Sequence, residues 1–416
     1  MKICILGAGI VGVASAYYLN KAGHEVTVID RESGAGLETS FANGGQISAC
    51  NTIPWANRHV PMQLVKWLGR KDAPLLFHFS ADPKLWSWLI KFLMNCRSAK
   101  AVDGTAKNMR MSLYSRQLMD DIRADTGLDY DYIGRGILNI QKSQKDFEEA
   151  VANAAHLREL GLNNVVLGAE ACVQMEPTLE TVQDRLAGGV HTPEDESGDA
   201  HTFTRKLALV AADRGVVFRY GESVTGLEEE AGRVTRVLTD KGGLDVDTVV
   251  LSVGAYGPAL MKPLGLNVPI YPAKGYSMTM PTAGRNGAPT ISITDEEHKL
   301  VFTRLGDRLR VAGTVEFAGF NKEIDQERAR SLRIKTEAQF PSAGDFEQAT
   351  YWTGLRPLTP DCVPIIGRTK LENLYLNTGH GSLGWTMGAG SGKAISDLIS
   401  GTRTDIDLSG YSLERF

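Results

Sequence analysis

The segment KICILGAGIVGVASAYYLNKAGHEVTVID, residues 2–30, decides the fold class of this chain. It opens with the apolar run 2–6, which predicts a buried strand. A helical pattern over 14–21 and a second apolar stretch over 25–29 follow it. Strand, helix and strand within about 30 residues predict one βαβ unit, the building block of a parallel sheet.

Three glycines lie in the turn between the first strand and the helix. Gly7 allows the tight turn, Gly9 lets a pyrophosphate approach the backbone, and Gly12 lets the helix pack closely on the strand. The helix N-terminus offers free N–H groups and its positive dipole end to the phosphates. Asp30 is placed to accept hydrogen bonds from an adenosine ribose, and its charge argues against the 2′-phosphate of NADP. The unit predicts a dinucleotide site and leaves FAD and NAD both open.

The composition indicates several domains and no polyanionic partner. A length of 416 residues allows two or three domains, and a net charge of −4 gives no electrostatic case for nucleic acid. The five cysteines are scattered without a C-x-x-C pair, and the eight histidines lack metal-ligand spacing, so we predict free thiols and no metal. No apolar run approaches about 18 residues, and a strand begins at residue 2, so we expect neither a membrane span nor a signal peptide. We therefore expect a cytoplasmic protein, or one attached peripherally to the inner face of the cell membrane.

Elements typical of a nucleotide-binding domain occur in three separate parts of the chain, with different material between them. This order predicts two interleaved domains rather than two consecutive ones. We expect a nucleotide-binding domain formed by 1–60, 165–265 and 345–416, and a second domain formed by 61–164 and 266–344.

Two glycine-containing segments are candidates for cofactor contact. The segment NTGHGSLGWTMGAGSGKAISDLI, 377–399, predicts a strand, a glycine turn and a helix whose N-terminus suits a group that gains negative charge, such as the N1–C2=O edge of a reduced flavin. The segment TSFANGGQIS, 39–48, suits a loop over a pyrophosphate or a ring. A turn with small residues for packing and a plain surface loop fit the same two patterns, so these interpretations also stay open.

The segment WTGLRPLTPDCVPIIG, 352–367, places Arg356 in a backbone that three prolines stiffen. A fixed guanidinium is the best bidentate partner for a substrate carboxylate. An arginine in an ordinary salt bridge is the alternative interpretation.

Taken together and in this order, these segments resemble the FAD-dependent D-amino-acid oxidase superfamily, and within it the bacterial D-amino-acid dehydrogenases of the small-subunit type. The resemblance spans essentially the whole chain. It rests on GAGIVGVASAYYL (7–19), TSFANGGQIS (39–48), DESGDAHTFTRKLA (195–208), YPAKGYSMTMP (271–281), ATYWTGLRPLTPD (349–361) and LNTGHGSLGWTMGAGSG (376–392).

The resemblance implies an α/β fold in which a Rossmann-like FAD-binding domain is interleaved with an α+β substrate domain whose mixed sheet roofs the flavin. It implies non-covalent FAD and oxidation of D-amino acids to 2-oxo acids and ammonia, by hydride transfer from the substrate Cα to flavin N5. Electrons would pass to a quinone or a protein acceptor. The implied cofactor contacts are Gly7, Gly9, Ile10, Val11, Gly12, Asp30, Arg31, Thr39, Ser40, Asn43, Gly44, Gly45, Gln46, Val224, Gly254, Gly381, Leu383, Gly384, Trp385 and Thr386.

Three side chains are implied as catalytic. Arg356 matches the carboxylate-binding arginine in G-L-R-P. Tyr276 would close the pocket or bind the carboxylate, unless it is a sheet aromatic packed in the core. His380 would lie near the flavin, unless its role in the turn is structural. Because the motifs hold no obvious strong base, we expect the neutral amine to be the reactive form of the substrate.

Two features leave the substrate and the partners open. After GGQIS the chain has Ala49, Cys50 and Asn51, where the typical dehydrogenase has proline, glycine and small residues, which puts the substrate in doubt. The segments 82–97 and 64–71 are rich in large apolar residues and lysines, and they predict either an interfacial helix pair or internal packing. Alternative functions are oxidation of secondary or cyclic amino acids (glycine, sarcosine, D-proline, hydroxyproline), an NAD-dependent dehydrogenase, and a flavin-bearing electron-transfer subunit.

Overall fold

The computed structural model describes residues 1–62, 75–78, 81–282, 284 and 287–416. The strands within these residues are β1 Lys2–Leu6, β2 Glu25–Asp30, β3 Gln46–Ile47, β4 Leu75–Phe77, β5 Ile137–Gln141, β6 Val165–Gly168, β7 Gly188–Thr192, β8 Glu196–Ser197, β9 Val217–Tyr220, β10 Val224–Glu230, β11 Arg233–Thr239, β12 Gly242–Asp245, β13 Thr248–Leu251, β14 Tyr271–Pro281, β15 Ser292–Asp295, β16 Leu300–Leu305, β17 Arg308–Phe317, β18 Thr350–Leu358, β19 Ile365–Arg368 and β20 Leu374–Thr378. The α-helices are α1 Ile10–Lys21, α2 Pro83–Asn95, α3 Ser98–Thr126, α4 Gln144–Glu159, α5 Ala169–Met175, α6 Ala200–Asp213, α7 Gly257–Met261, α8 Gln326–Gln339 and α9 Gly384–Ser400.

The opening βαβ unit forms the centre of a six-stranded sheet in the order β19-β20-β13-β1-β2-β9. β1 runs parallel to both of its neighbours, with Leu6 opposite Ile29 of β2 and Leu251 of β13. Close packing at the turn requires a glycine, because a Cβ on Gly12 would lie 1.9 Å from the carbonyl oxygen of Gly7. α1 packs on α9 in the same way, since a Cβ on Gly392 would lie 2.8 Å from the backbone of Ala14. The predicted unit is confirmed.

A second, mixed sheet roofs the first. Its strands follow the order β18-β14-β17-β16-β15-β5-β7-β6, and β4 pairs with β17 off this path. β14 is antiparallel to both β18 and β17, whereas β15 with β5 and β17 with β4 are parallel pairs. One face buries apolar side chains against α8, including those of Met278, Leu332 and Phe340. The predicted fold class, a nucleotide-binding domain with a mixed-sheet domain above it, is confirmed.

The pairing of strands departs from the predicted domain boundaries at two places. β6 and β7 lie within 165–265 and β18 lies within 345–416, yet all three belong to the roof sheet. α3, predicted with the substrate domain, buries Met111, Leu118 and Met119 in the core of the nucleotide-binding domain. Short strands and helices do not indicate which sheet they join, because pairing is decided by residues far away in the chain. As a division of the chain, the two-domain assignment stays a prediction.

Candidate active site

A cavity of about 1600 Å³ lies between the carboxyl ends of the nucleotide sheet and the roof sheet. Ligands in open α/β sheets bind outside the carboxyl ends of the strands, at the point where the strand order reverses. β1 lies at such a point here, because the chain continues to β2 on one side and to β13 on the other. The cavity therefore occupies the position that the fold provides for a nucleotide.

Most of the predicted site residues line this cavity. They include Arg356, Tyr276 and His380, and all of the predicted cofactor contacts except Gly12, Gly45 and Thr386. The three exceptions have packing or anchoring contacts instead: Gly12 packs on the first turn, a Cβ on Gly45 would touch Thr303, and the Thr386 hydroxyl accepts a hydrogen bond from the Ser48 amide at 3.0 Å. The roles of the lining residues in cofactor binding stay predictions.

At the first turn, the backbone is open to a phosphate. A Cβ on Gly9 would meet only the Ser40 hydroxyl, at 3.7 Å, and Gly9 gives α1 no side-chain cap. Gly7 has φ of +104°, a backbone conformation that favours glycine. The Asp30 carboxylate accepts hydrogen bonds from the amides of Ala8 and Glu32 at 2.6 and 2.8 Å, and burial raises its pKa. This end fits the pyrophosphate and ribose of a dinucleotide.

The start of α9 forms the other end of the cradle. Leu383, the capping residue of the 17-residue helix α9, offers the first-turn amides no side-chain acceptor. Several buried polar atoms of lining residues have no hydrogen-bond partner within the described parts of the chain, among them Ser252 Oγ, Asn377 Oδ1, His380 Nε2 and Trp385 Nε1. Such atoms are unfavourable unless a ligand or water satisfies them. Both ends of the cavity thus fit a long, polar, planar cofactor such as FAD.

The loop 39–48 is held between the two domains rather than exposed as a plain surface loop. The Thr39 hydroxyl donates to the carbonyl of Leu355 in β18 at 2.9 Å. The carbonyls of Asn43 and Gly44 accept hydrogen bonds from Arg310 at 2.8 Å and from Thr303 at 2.7 Å, both in the roof sheet. The Ser40 hydroxyl also accepts a hydrogen bond from the Ile10 amide of α1 at 3.2 Å, so the loop joins the roof to the nucleotide-binding domain, beside the cavity.

Arg356 carries a positive charge into the cavity without a carboxylate partner. No carboxylate oxygen of the described residues lies within 4.0 Å of its guanidinium. Arg356 therefore forms no salt bridge with these residues, contrary to the alternative interpretation. Its contacts are the Thr314 carbonyl, which accepts from Nη1 at 3.4 Å, and the Trp55 ring, whose centroid is 5.9 Å from Cζ. Burial lowers the pKa of Arg356 from 12.5 to about 10.

Two positions in neighbouring strands make room for this guanidinium and orient it. A Cβ on Gly275 of β14 would lie 2.5 Å from Arg356 Cζ, so only glycine leaves the space free. Thr314 of β17 lies in a bulge opposite Gly275 and Tyr276 and has φ of +53°. A β-branched residue in this backbone region is strained, and bulges redirect the groups of a strand. Here the bulge presents the Thr314 carbonyl to Arg356.

Tyr276 and His380 differ from Arg356 in their surroundings. The Tyr276 hydroxyl donates to Glu316, which also contacts Lys274 Nζ at 2.9 Å and His78 Nε2 at 2.6 Å. These contacts match the alternative of a buried sheet aromatic, and the proposed carboxylate contact stays a prediction. His380 is buried, and burial lowers its pKa to about 3, so the imidazole is neutral near pH 7.

The unusual segment at 49–51 is a short 3₁₀ turn fixed by a buried acid. The amides of Ala49 and Cys50 donate to the two carboxylate oxygens of Asp195 at 3.0 and 2.9 Å. Burial raises the pKa of Asp195 to about 6. Cys50 and Asn51 line the cavity, whereas Ala49 is not among its lining residues.

Sequence reasoning missed Trp55, Gly275 and Thr314 as parts of the arginine site. Gly275 stands beside Tyr276 in KGYS, but nothing local shows that its missing Cβ faces a residue of another strand. The bulge at Thr314 has no sequence signal of its own.

Residues 2–398 of this chain match the family described as "FAD dependent oxidoreductase". A D-amino acid dehydrogenase of Paramagnetospirillum magneticum is 50% identical over 417 residues, covering 100% of this chain and 99% of that protein. One of Xanthobacter autotrophicus is 46% identical with the same coverage. Among solved structures, glycine oxidase from Geobacillus kaustophilus has a TM-score of 0.78 at 21% identity, covering 100% of this chain and 98% of that one.

We expect Gly275→Ala to raise the KM of a carboxylate-bearing substrate about tenfold, the loss of one charged hydrogen bond, because the added methyl displaces the guanidinium. The same change in an Arg356→Lys background should cost far less, since the slimmer lysine no longer fills the space. Steady-state kinetics on the four proteins measure this coupling.

Gly354→Ala is the matched control, because Gly354 pairs directly with Gly275 but its Cβ would meet the Trp352 ring. Its effect should add to that of Arg356→Lys. Equal effects of Gly275→Ala in both backgrounds would show that Gly275 does not act through Arg356.

Proposed function

This chain belongs to the FAD-dependent oxidoreductases, and we propose that it oxidises D-amino acids to 2-oxo acids and ammonia with FAD bound non-covalently in the cavity. The relatives at 50% and 46% identity, which match it end to end, are D-amino acid dehydrogenases. The single observation that carries the proposal is the guanidinium of Arg356, which faces the cavity without a described carboxylate beside it.

Arg356 acts by binding and aiming the substrate. Its planar fork can donate two parallel hydrogen bonds to a carboxylate, which fixes one of the groups on the α-carbon and so orients the Cα–H bond. Bound FAD supplies the acceptor for the hydride that leaves this carbon. The roof sheet covers the cavity and limits access of water, which strengthens the attraction between the guanidinium and the carboxylate.

The described site residues offer no strong base for the substrate's ammonium group. His380 has a pKa of about 3 and is too weak a base. The Tyr276 hydroxyl already donates a hydrogen bond to Glu316. Burial and the Glu316 carboxylate together raise the pKa of Tyr276. The ammonium proton therefore leaves to solvent, and the neutral amine reacts.

We propose that the electron acceptor is a quinone. The protein reaches it by binding peripherally to a membrane through α2. None of the helices within the described residues combines the length and apolarity that crossing a bilayer requires. α2 buries Leu85, Trp88 and Phe92, whereas Ile90 and Met94 are 59% and 60% exposed one helical turn apart. Trp88 thus faces the interior of the protein rather than a membrane, with its indole donating to the Leu358 carbonyl at 2.9 Å. The segment 64–71 lies outside the described residues.

Anaerobic mixing with D-amino acids should bleach the yellow holoenzyme, and Arg356→Lys should raise the KM by about 10-fold to 100-fold with FAD still bound, because lysine keeps the charge but loses the fork. The measurement is flavin absorbance under nitrogen over a panel of D- and L-amino acids, glycine, sarcosine and D-proline. Bleaching by the secondary amines alone, or an unchanged KM in the variant, would contradict the proposal.

Activity should depend on pH in two ways. kcat should rise with pH and reach a plateau as the bound amine loses its proton. kcat/KM should fall again near pH 10, because the free enzyme's Arg356, whose pKa burial lowers to about 10, loses the charge that binds the carboxylate above that pH. Rapid-reaction reduction of the flavin at a series of pH values measures both limbs. A kcat that is constant across the titration of the substrate amine would refute the neutral-amine step.

Ile90→Ser with Met94→Ser should weaken binding to liposomes of anionic lipid while leaving flavin reduction by substrate unchanged. The pair Leu209→Ser and Ile334→Ser is the control, because these residues are 57% and 53% exposed on α6 and α8. Cosedimentation compares the two double variants. Equal binding by both would remove α2 from the proposed membrane contact.

A further inference from the structure

From Arg356 toward Leu358, the face of the roof sheet that carries Arg356 is apolar. Side chains alternate between the two faces of a strand, and residues directly opposite each other share a face. Arg356 is opposite Ala273, and Leu358 is opposite Tyr271, so these four lie on one face. Ala273, Tyr271 and Leu358 belong to one apolar cluster together with Phe317 of β17. The guanidinium is thus placed at the edge of an apolar surface.

Aromatic rings continue this surface along the cavity. Phe77 and Phe317 are opposite each other in the β4–β17 pair, and their rings stack at 4.5 Å. Trp88 of α2 lies 5.3 Å from Phe317 and 5.0 Å from Phe92. The half-buried Phe77 and Trp55 line the cavity together with Trp88, Phe92 and Phe317, which are nearly fully buried behind them.

Two polar groups of this wall, those of Trp88 and Tyr271, are already engaged. The Trp88 indole N–H donates to the Leu358 carbonyl at 2.9 Å, and the Tyr271 hydroxyl donates to Asp82 at 3.3 Å. The nearest ion pair of the roof, Lys274 with Glu316 at 2.9 Å, is buried and belongs to alternate positions of β14 and β17, on the opposite face from Arg356. What the wall presents to a ligand is therefore ring and methyl surface.

The wall lies within reach of a substrate that Arg356 holds. Thr314, whose carbonyl contacts Arg356, precedes Phe317 by three residues in β17, which is about 10 Å along a strand. Leu358, whose carbonyl holds Trp88, follows Arg356 by two residues in β18, which is about 7 Å. A side chain larger than a methyl group can bridge part of this span, whereas that of alanine cannot.

We infer that Trp55, Phe77, Trp88, Phe92 and Phe317 form a side-chain subsite that selects D-amino acids with large apolar or aromatic side chains, such as D-phenylalanine, D-leucine and D-methionine. The inference rests on the proposed function, because it takes the carboxylate to be held by Arg356. Burying the three extra carbons of leucine relative to alanine corresponds to about 50-fold in kcat/KM when burial is complete. A charged side chain has no described counter-charge on this wall and is disfavoured.

The experiment measures kcat/KM of the holoenzyme, from anaerobic flavin reduction, for D-alanine, D-leucine, D-phenylalanine, D-glutamate and D-arginine. We expect D-leucine and D-phenylalanine to exceed D-alanine by at least tenfold, and both charged substrates to fall below D-alanine. D-alanine or a charged substrate as the best of the five would overturn the inference and leave the proposed function standing. Absence of reduction by all five would instead overturn the proposed function.

Phe77→Ala tests the placement of the subsite. It should lower kcat/KM for D-phenylalanine about tenfold and change that for D-alanine less than twofold. Phe77→Leu, which keeps an apolar side chain, should recover most of the loss, and FAD content and the unfolding midpoint show whether each variant is folded. Phe218→Ala is the control, because Phe218 is partly buried and stacked on Tyr220 at 5.5 Å but does not line the cavity. Equal losses for D-phenylalanine and D-alanine in Phe77→Ala would place the side chain elsewhere and overturn the inference.

Discussion

The positive charge of Arg356 is the feature on which the rest of the site depends. A buried charge without a counter-charge is costly, and proteins either pair such a group or shift its pKa. Arg356 is partly buried and has no carboxylate partner among the described residues, and this burial lowers its pKa to about 10. Two residues accommodate the Arg356 guanidinium. Gly275 leaves the volume beside it free, and Thr314 turns its carbonyl toward it. In the proposed function, a carboxylate ligand supplies the charge that the described residues around Arg356 do not.

The backbone around the guanidinium carries strain for the same reason. A regular β17 would continue the ladder past Thr314, but the bulge adds a residue opposite Gly275 and Tyr276. A β-branched residue at φ of +53° is unfavourable. The flanking strand pairs, which hold β17 between β14 and β16, stabilise it in this conformation. Strain of this kind persists where surrounding structure over-determines it, and the long antiparallel ladders on both sides of β17 do so. The roof sheet is therefore both the cover of the cavity and the rigid support of its cation.

The local parts of this architecture could be predicted from the sequence, and the non-local parts could not. The strands and helix of residues 2–30 follow from apolar runs and glycine spacing, which act within a few residues. The resemblance of the G-L-R-P segment predicts that Arg356 binds a carboxylate, whereas its lack of a carboxylate partner among the described residues is visible only in three dimensions. The pairing of β18 with β14, which puts Gly275 beneath Arg356 and turns Tyr276 to the other face, depends on a register that no single strand encodes.

The period of two along a strand explains how one sheet can hold two opposite environments. Lys274 and Tyr276 alternate with Ala273 and Gly275 in β14, so the first pair meets Glu316 on one face while the second pair meets Arg356 on the other. The ion pair between Lys274 and Glu316 is satisfied within the protein, and it adds little net charge to the opposite face. On the cavity face, the guanidinium of Arg356 lies among described apolar and aromatic groups that screen it poorly, while Arg310, farther along the same face, donates to the Asn43 carbonyl. The weak solvation that lowers the pKa of Arg356 therefore also strengthens its attraction for a carboxylate, and a bound carboxylate must in turn raise that pKa. Affinity for the substrate and the shifted titration of the free arginine are two consequences of the same burial.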